Sequence, residues 1–137
     1  MLEIGAATGH LAALLSHKAQ RVVALEADAG LAALAQANLK RAGVMNVTVL
    51  NQDGAAGLAA EAPFDVILLS GSVARVPQVL LDQLKVGGRL AAIVGGEPVM
   101  RAVLITRTGA SDFRTVEMFD TVAGRLPGFA EAPAFSF

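Results

Sequence analysis

Apolar residues fall along this chain in short runs broken by glycine, proline and acidic residues, and the spacing alternates between strand-like and helix-like. Leu2 to Ile4 predicts a short apolar strand, Gly5 to Gly9 a turn of small residues, and Leu11 to Leu15 the apolar face of a helix. Arg21 to Leu25 (RVVAL) reads as a β-branched buried strand closing at Glu26. Asp28 then caps a helix with apolar positions Leu31, Leu34, Ala35 and Leu39, which Gly43 ends. Asn46 to Leu50 is a third strand, followed by the polar turn Asn51-Gln52-Asp53-Gly54. Phe64 to Leu69 is a fourth, and its unbroken apolar character suits a strand covered on both faces. Pro77 opens a helix to about Lys85, Gly87-Gly88 turns the chain, and Arg89 to Val94 is a fifth strand. Ala102 to Thr106 and Phe113 to Phe119 flank Thr108-Gly109-Ala110 as a closing hairpin.

This alternation predicts an α/β fold, a doubly wound Rossmann-like sheet that is mostly parallel and ends in a C-terminal antiparallel hairpin. The 137 residues fit one domain, with a nucleoside-binding core over 1–95 and the hairpin and tail over 96–137. The tail from Arg125 holds Phe129, Phe135 and Phe137, and an apolar irregular segment must pack on something. Docking on its own domain is the expectation, ahead of joining a partner chain. Because Met1 runs straight into the first strand, the chain reads as starting inside a fold.

Three strand ends carry candidate chemistry. Glu3-Ile4-Gly5-Ala6-Ala7-Thr8-Gly9 places a glycine turn between strand and helix, where missing side chains let a ligand approach the backbone. The dinucleotide spacing G-x-G-x-x-G fails, since Ala7 and His10 stand at its second and third glycines. Glu26 closes the second strand at the offset where a carboxylate accepts from both ribose hydroxyls of a nucleoside. Asp53, with Gln52 and Gly54, follows the third strand. Each feature has an ordinary reading: a packing turn, an exposed helix-flanking Glu, and a simple Asp-Gly turn. Their conjunction on the edge where doubly wound sheets bind ligands is the signal.

Composition narrows the classes. A formal charge of −1 leaves no footprint for nucleic acid or an anionic membrane. No apolar run reaches the roughly 18 residues of a membrane span, and no leader pattern is present, so a cytoplasmic location is the expectation. With no cysteine there is no disulfide, thiolate nucleophile or cysteine-based zinc site. His10 and His17 have no metal-like neighbours and read as helix-terminal or solvated side chains, so no metal is expected.

The glycine turn fits the E/D-x-G-x-G-x-G pattern of S-adenosylmethionine-binding methyltransferases with Ala7 in place of the middle glycine. Several runs then resemble the protein-L-isoaspartate O-methyltransferase family: Leu2-Glu3-Ile4-Gly5 with Thr8-Gly9, Asn46-Val47 ahead of Asp53-Gly54, and Ala62-Pro63-Phe64-Asp65. Val76-Pro77 before Leu80 and Gln83-Leu84 before Gly87-Gly88-Arg89-Leu90 extend the likeness, which covers about Leu2 to Gly95. The resemblance implies S-adenosylmethionine as cofactor and a peptide or protein carboxylate as methyl acceptor. A carboxylate is ionised at neutral pH and needs alignment, not a general base. By the same resemblance Glu3 orients the cofactor's amino-acid part, Gly5, Ala7 and Gly9 form the turn that admits it, and Glu26 holds the ribose. Asp53 accepts from adenine, Gly54 lies beside the ring, and Ser70 is the polar group facing the methyl. The family's substrate-gripping segment before the first strand has no counterpart here. The alternative is therefore a catalytically inactive module of the same fold, acting through homo-oligomerisation or partner binding.

Overall fold

The computed structural model describes residues 1–131; Phe135 and Phe137 of the tail lie outside them. Seven strands form one sheet: β1 (Leu2–Ile4), β2 (Val22–Glu26), β3 (Val47–Asn51), β4 (Phe64–Val73), β5 (Leu84–Gly96), β6 (Val99–Arg107) and β7 (Phe113–Thr121). Their order is β3-β2-β1-β4-β5-β6-β7, parallel through β5 and antiparallel from β5 to β7. This is the expected mostly parallel sheet with an antiparallel edge. The strand order switches sides between β1 and β4, which run parallel, so the carboxyl ends of those two strands flank a crevice.

Helices α1 (His10–Leu15) and α2 (Ala29–Arg41) cover β2 and β3 on one face, where Ala12, Ala32, Ala35 and Leu39 pack against Ala24 and Val49. Asp28 caps α2 by accepting from Leu31 N–H at 2.9 Å, and Gly43, at φ 73°, follows its C-terminus. The apolar face expected of both helices is only partly the buried one. Leu11, Leu14, Leu31 and Leu34 are exposed, and the alanines face the sheet instead. Short side chains let α2 lie close enough for Gln36 Nε2 to donate to Val49 O at 2.9 Å.

The other face holds the larger core, with Leu25, Ile67 and Leu90 essentially fully buried, each worth about 1.5–3 kcal/mol of burial. Its cover is α3 (Gln78–Leu81), a short 3-10 turn over Ala59–Glu61 and the tail residues Leu126 and Phe129. Buried Gln83 pins the preceding loop, accepting from Leu58 N–H and donating to Ala56 O, both at 2.9 Å.

Three boundaries differ from the sequence reading. The helix after Pro77 stops at Leu81 because Leu84 pairs with Phe64, so sheet formation captures residues that read as helical. Gly87-Gly88 does not turn the chain; it makes a bulge inside β5, where five positions on β5 span two on β4. The strand β4 runs past Leu69 to Val73, through the Ser70-Gly71-Ser72 stretch, with a second bulge before Ser72.

Candidate functional site

A cavity of about 360 Å³ opens at the carboxyl ends of β1, β2 and β4. Its floor is the turn after β1. Gly5 N–H and Ala6 N–H both donate to Leu25 O, at 2.8 and 3.1 Å, which bends the chain off the sheet at once. Gly5 has φ 95°, and Ala7, at φ 49°, is the only non-glycine residue with positive φ among those described. A left-handed alanine costs roughly 1–3 kcal/mol and persists only where neighbours hold it.

Glu26 is that neighbour. One carboxylate oxygen accepts from Ala7 N–H at 2.7 Å and the other from Asp28 N–H at 2.9 Å, so the side chain ties the β1 turn to the start of α2. The residue lines the cavity yet is only 6% exposed, which sets aside the ordinary reading of an exposed helix-flanking Glu.

Gly5, Ala7, Glu26, Gly54 and Ser70 are brought together around the cavity. Gly9 is not among the lining residues; at φ 87° it packs on α2, where an added Cβ would lie 3.3 Å from Ala35 backbone. Asp53 is exposed and also outside the lining. Its carboxylate accepts from Ala55 N–H at 2.7 Å and lies against Gly128, while Gln52 and Gly54 on either side face the cavity. Glu3 is fully buried beneath Ser70 and accepts from the Ser70 hydroxyl at 2.9 Å. Its other oxygen, Oε1, is buried without a partner.

Burial pushes the Glu3 carboxyl above the usual range; the Ser70 hydroxyl offsets part of this and the Glu26 charge adds to it. In the unfolded chain the group titrates near 4.5, whereas the folded protein holds its proton to higher pH. Through that window folding takes up a proton, so this group's contribution to stability is greatest below the unfolded value and falls as pH rises to the folded one. Glu3→Gln, which can still accept from Ser70, should melt higher than the parent above the window and with a flatter pH dependence. Thermal melts from about pH 4 to 8 check this, and two parallel curves would refute it.

Sequence reasoning missed Asp28, Leu31, Gly71 and the tail residues 124–127 as cavity lining. The apolar character of the tail was the available signal for the last group. Ser72 holds it in place: Ser72 N–H donates to Gly124 O at 2.7 Å and Leu126 N–H to Ser72 O at 2.8 Å, a parallel bridge on the end of β4. The tail, through Phe129, thus docks on its own domain.

A crevice at the strand-order reversal, floored by a glycine turn and walled by a strand-end carboxylate, is where doubly wound α/β domains place their ligands. Comparison with known proteins narrows the class. The family model of protein-L-isoaspartate(D-aspartate) O-methyltransferase matches residues 1–121, and the chain belongs to this family. The protein-L-isoaspartate O-methyltransferase of Koribacter versatilis is 41% identical over 120 residues, which are 88% of this chain and 54% of that relative. The chain thus spans about half the length of the curated relatives it matches. A solved protein-L-isoaspartate O-methyltransferase superposes with a TM-score of 0.85 at 28% identity, over 93% of this chain and 41% of that one. A Plasmodium falciparum protein solved in complex with S-adenosyl-L-homocysteine shares the fold, with a TM-score of 0.75 at 20% identity over 91% of this chain and 64% of that one. Among the described residues no helix is long and apolar enough to cross a membrane.

Proposed function

We propose that residues 1–137 form one domain that binds S-adenosylmethionine and takes part in methyl transfer to a carboxylate of a peptide or protein, that of an isoaspartyl residue being the acceptor that family membership favours. The observation that carries this reading is the convergence of the Gly5 turn, Glu26 and Gly54 on one cavity. About 360 Å³ with mixed apolar and polar lining lies within the range of small-molecule sites. Unpartnered Glu3 Oε1 supplies a buried acceptor one layer below.

When bound, the cofactor supplies an electrophilic methyl group on a sulfonium. The protein's own part is alignment. The Gly5 turn would lie along the amino-acid portion, beside Leu126, and Glu3 holds Ser70 in one rotamer so that its oxygen faces the cavity as an acceptor. Glu26 already receives two backbone N–H groups, and its remaining lone pairs are the acceptors for ribose hydroxyls. Gln52 and Gly54 line the cavity beside Asp53, which supports reading them as the residues that would face the adenine. An ionised carboxylate attacks without a general base, so the lining has only to align it.

Titration calorimetry with S-adenosylhomocysteine should give micromolar affinity, about −8 kcal/mol. Neither heat nor a thermal shift at millimolar ligand would reject the cofactor reading. Transfer of labelled methyl to an isoaspartyl peptide, against its aspartyl twin, then tests the acceptor.

A further inference from the structure

The tail beyond residue 121 lies outside the family match, yet it forms one wall of the cavity. Backbone bonds to Ser72 fix its course, the Ser72 hydroxyl donates to Ala123 O at 2.9 Å, and Arg125 Nη1 donates to Gly95 O at 2.8 Å. The segment is therefore a built part of the fold, and Leu126 is only 6% exposed.

Leu126 stands over both glycines that flank the cavity floor. A Cβ added at Gly5 would lie 2.7 Å from Leu126 Cδ2, and one added at Gly71 would lie 2.9 Å from the same atom. The bareness of these two positions is thus already used by a leucine side chain. A ligand approaching the backbone at Gly5 must share that space with it. On the cofactor reading above, the amino-acid portion lies along the Gly5 turn and the transferring group faces Ser70-Gly71, which puts the sulfur-borne substituent beside Leu126.

We infer that Leu126 is a specificity-determining residue, which limits the size of the group carried on the sulfur of an adenosyl thioether or sulfonium ligand. The inference rests on that cofactor reading. The Ser72 bridge holds the backbone of Leu126 and core packing confines its branched side chain, so extra volume on the ligand is disfavoured. One methylene in an apolar pocket is worth about tenfold or more in discrimination.

The test measures by calorimetry the ratio of dissociation constants for S-adenosylethionine and S-adenosylmethionine, with S-adenosylhomocysteine as the reference ligand. Leu126→Ala should lower the ethyl-to-methyl ratio about tenfold, and Leu126→Phe should raise it by a similar factor. Because Leu126 belongs to the core, Leu126→Val is included as a milder variant that keeps most of the packing; its ratio should fall about threefold. Ratios equal to the parent's in every cooperatively melting variant, with S-adenosylhomocysteine still bound, overturn the role of Leu126 and leave the cofactor reading intact. Failure of the parent to bind any of the three ligands removes the cofactor reading and this inference with it.

Discussion

Alanine in place of Glu26 should lower unfolding stability by about 2–4 kcal/mol and weaken S-adenosylhomocysteine binding at least a hundredfold. The first effect follows from two backbone donors. Ala7 N–H and Asp28 N–H point at the carboxylate at 2.7 and 2.9 Å. Hydrogen bonds to a charged partner are worth about 1.5–3 kcal/mol each, and deleting the acceptor leaves two partly buried donors to find water. Ala7 sits at φ 49°, so the turn loses the contact that holds its least favourable residue. The second effect compounds the first, because the ribose loses its acceptor and the floor beneath the ligand loses its shape together. Glu26→Gln separates the two. Its amide oxygen can still accept one backbone N–H, whereas its NH₂ faces the other donor, so stability should fall by roughly half as much while affinity still collapses. Urea unfolding and calorimetry read the pair. Parent-like stability in Glu26→Ala would mean the carboxylate does not brace the turn, and parent-like affinity would remove it from the site.

On the proposed reading a single carboxylate thus joins architecture to recognition. The turn after β1 holds an alanine in the left-handed region, and it survives in that state because Glu26 reaches across from β2. Asp28 extends the same device: its N–H is held by Glu26 while its side chain caps α2, so the helix start and the cavity wall share one hydrogen-bonded unit. Ser70 and Glu3 repeat the arrangement on the β4 side, where a buried carboxylate fixes an exposed hydroxyl.

Much of this was legible in the sequence where the physics is local. The apolar runs at β1, β2, β3 and β4 announced a buried parallel sheet, Asp28 announced a cap, and the glycine turn with Glu26 announced the crevice. What escaped was decided by contacts distant in sequence. The β5 start at Leu84 depends on pairing with Phe64, and that pairing overrides the helical pattern after Pro77. On α2 the leucines were the stronger apolar signal, but close approach to β2 and β3 selected the alanines beside them. The bond from Ser70 to Glu3 spans 67 positions, and the Leu126 contact with Gly5 joins the tail to the first turn. No window of sequence contains either pair. Gly9 and Asp53 were read from motif position, yet helix packing uses one and a local turn the other.

Gly54 gives the second large effect, and for a reason its motif position conceals. It was read as a residue beside the adenine, but its own need for glycine lies on the core side. A Cβ there would overlap Ile4 Cγ2 and come within 3.0 Å of Cγ1 and 3.1 Å of Cβ. Ile4 is 2% exposed on a strand hydrogen-bonded on both edges, to β2 and β4, so its backbone cannot give way. Gly54→Ala should therefore cost about 3 kcal/mol, at the upper end of overpacking penalties. Gly96→Ala is the control, since nothing stands within 4 Å of an added Cβ there; it should stay within about 0.5 kcal/mol of the parent. Ile4→Ala removes both clashing γ carbons, so the double variant should be less destabilised than the sum of its parts by at least about 1 kcal/mol. Denaturant unfolding of the four variants beside the parent decides the matter. Strict additivity, or a Gly54→Ala as benign as the control, would show that the overlap is relieved by movement of the 51–54 turn, and Gly54 would then owe its place to the ligand alone.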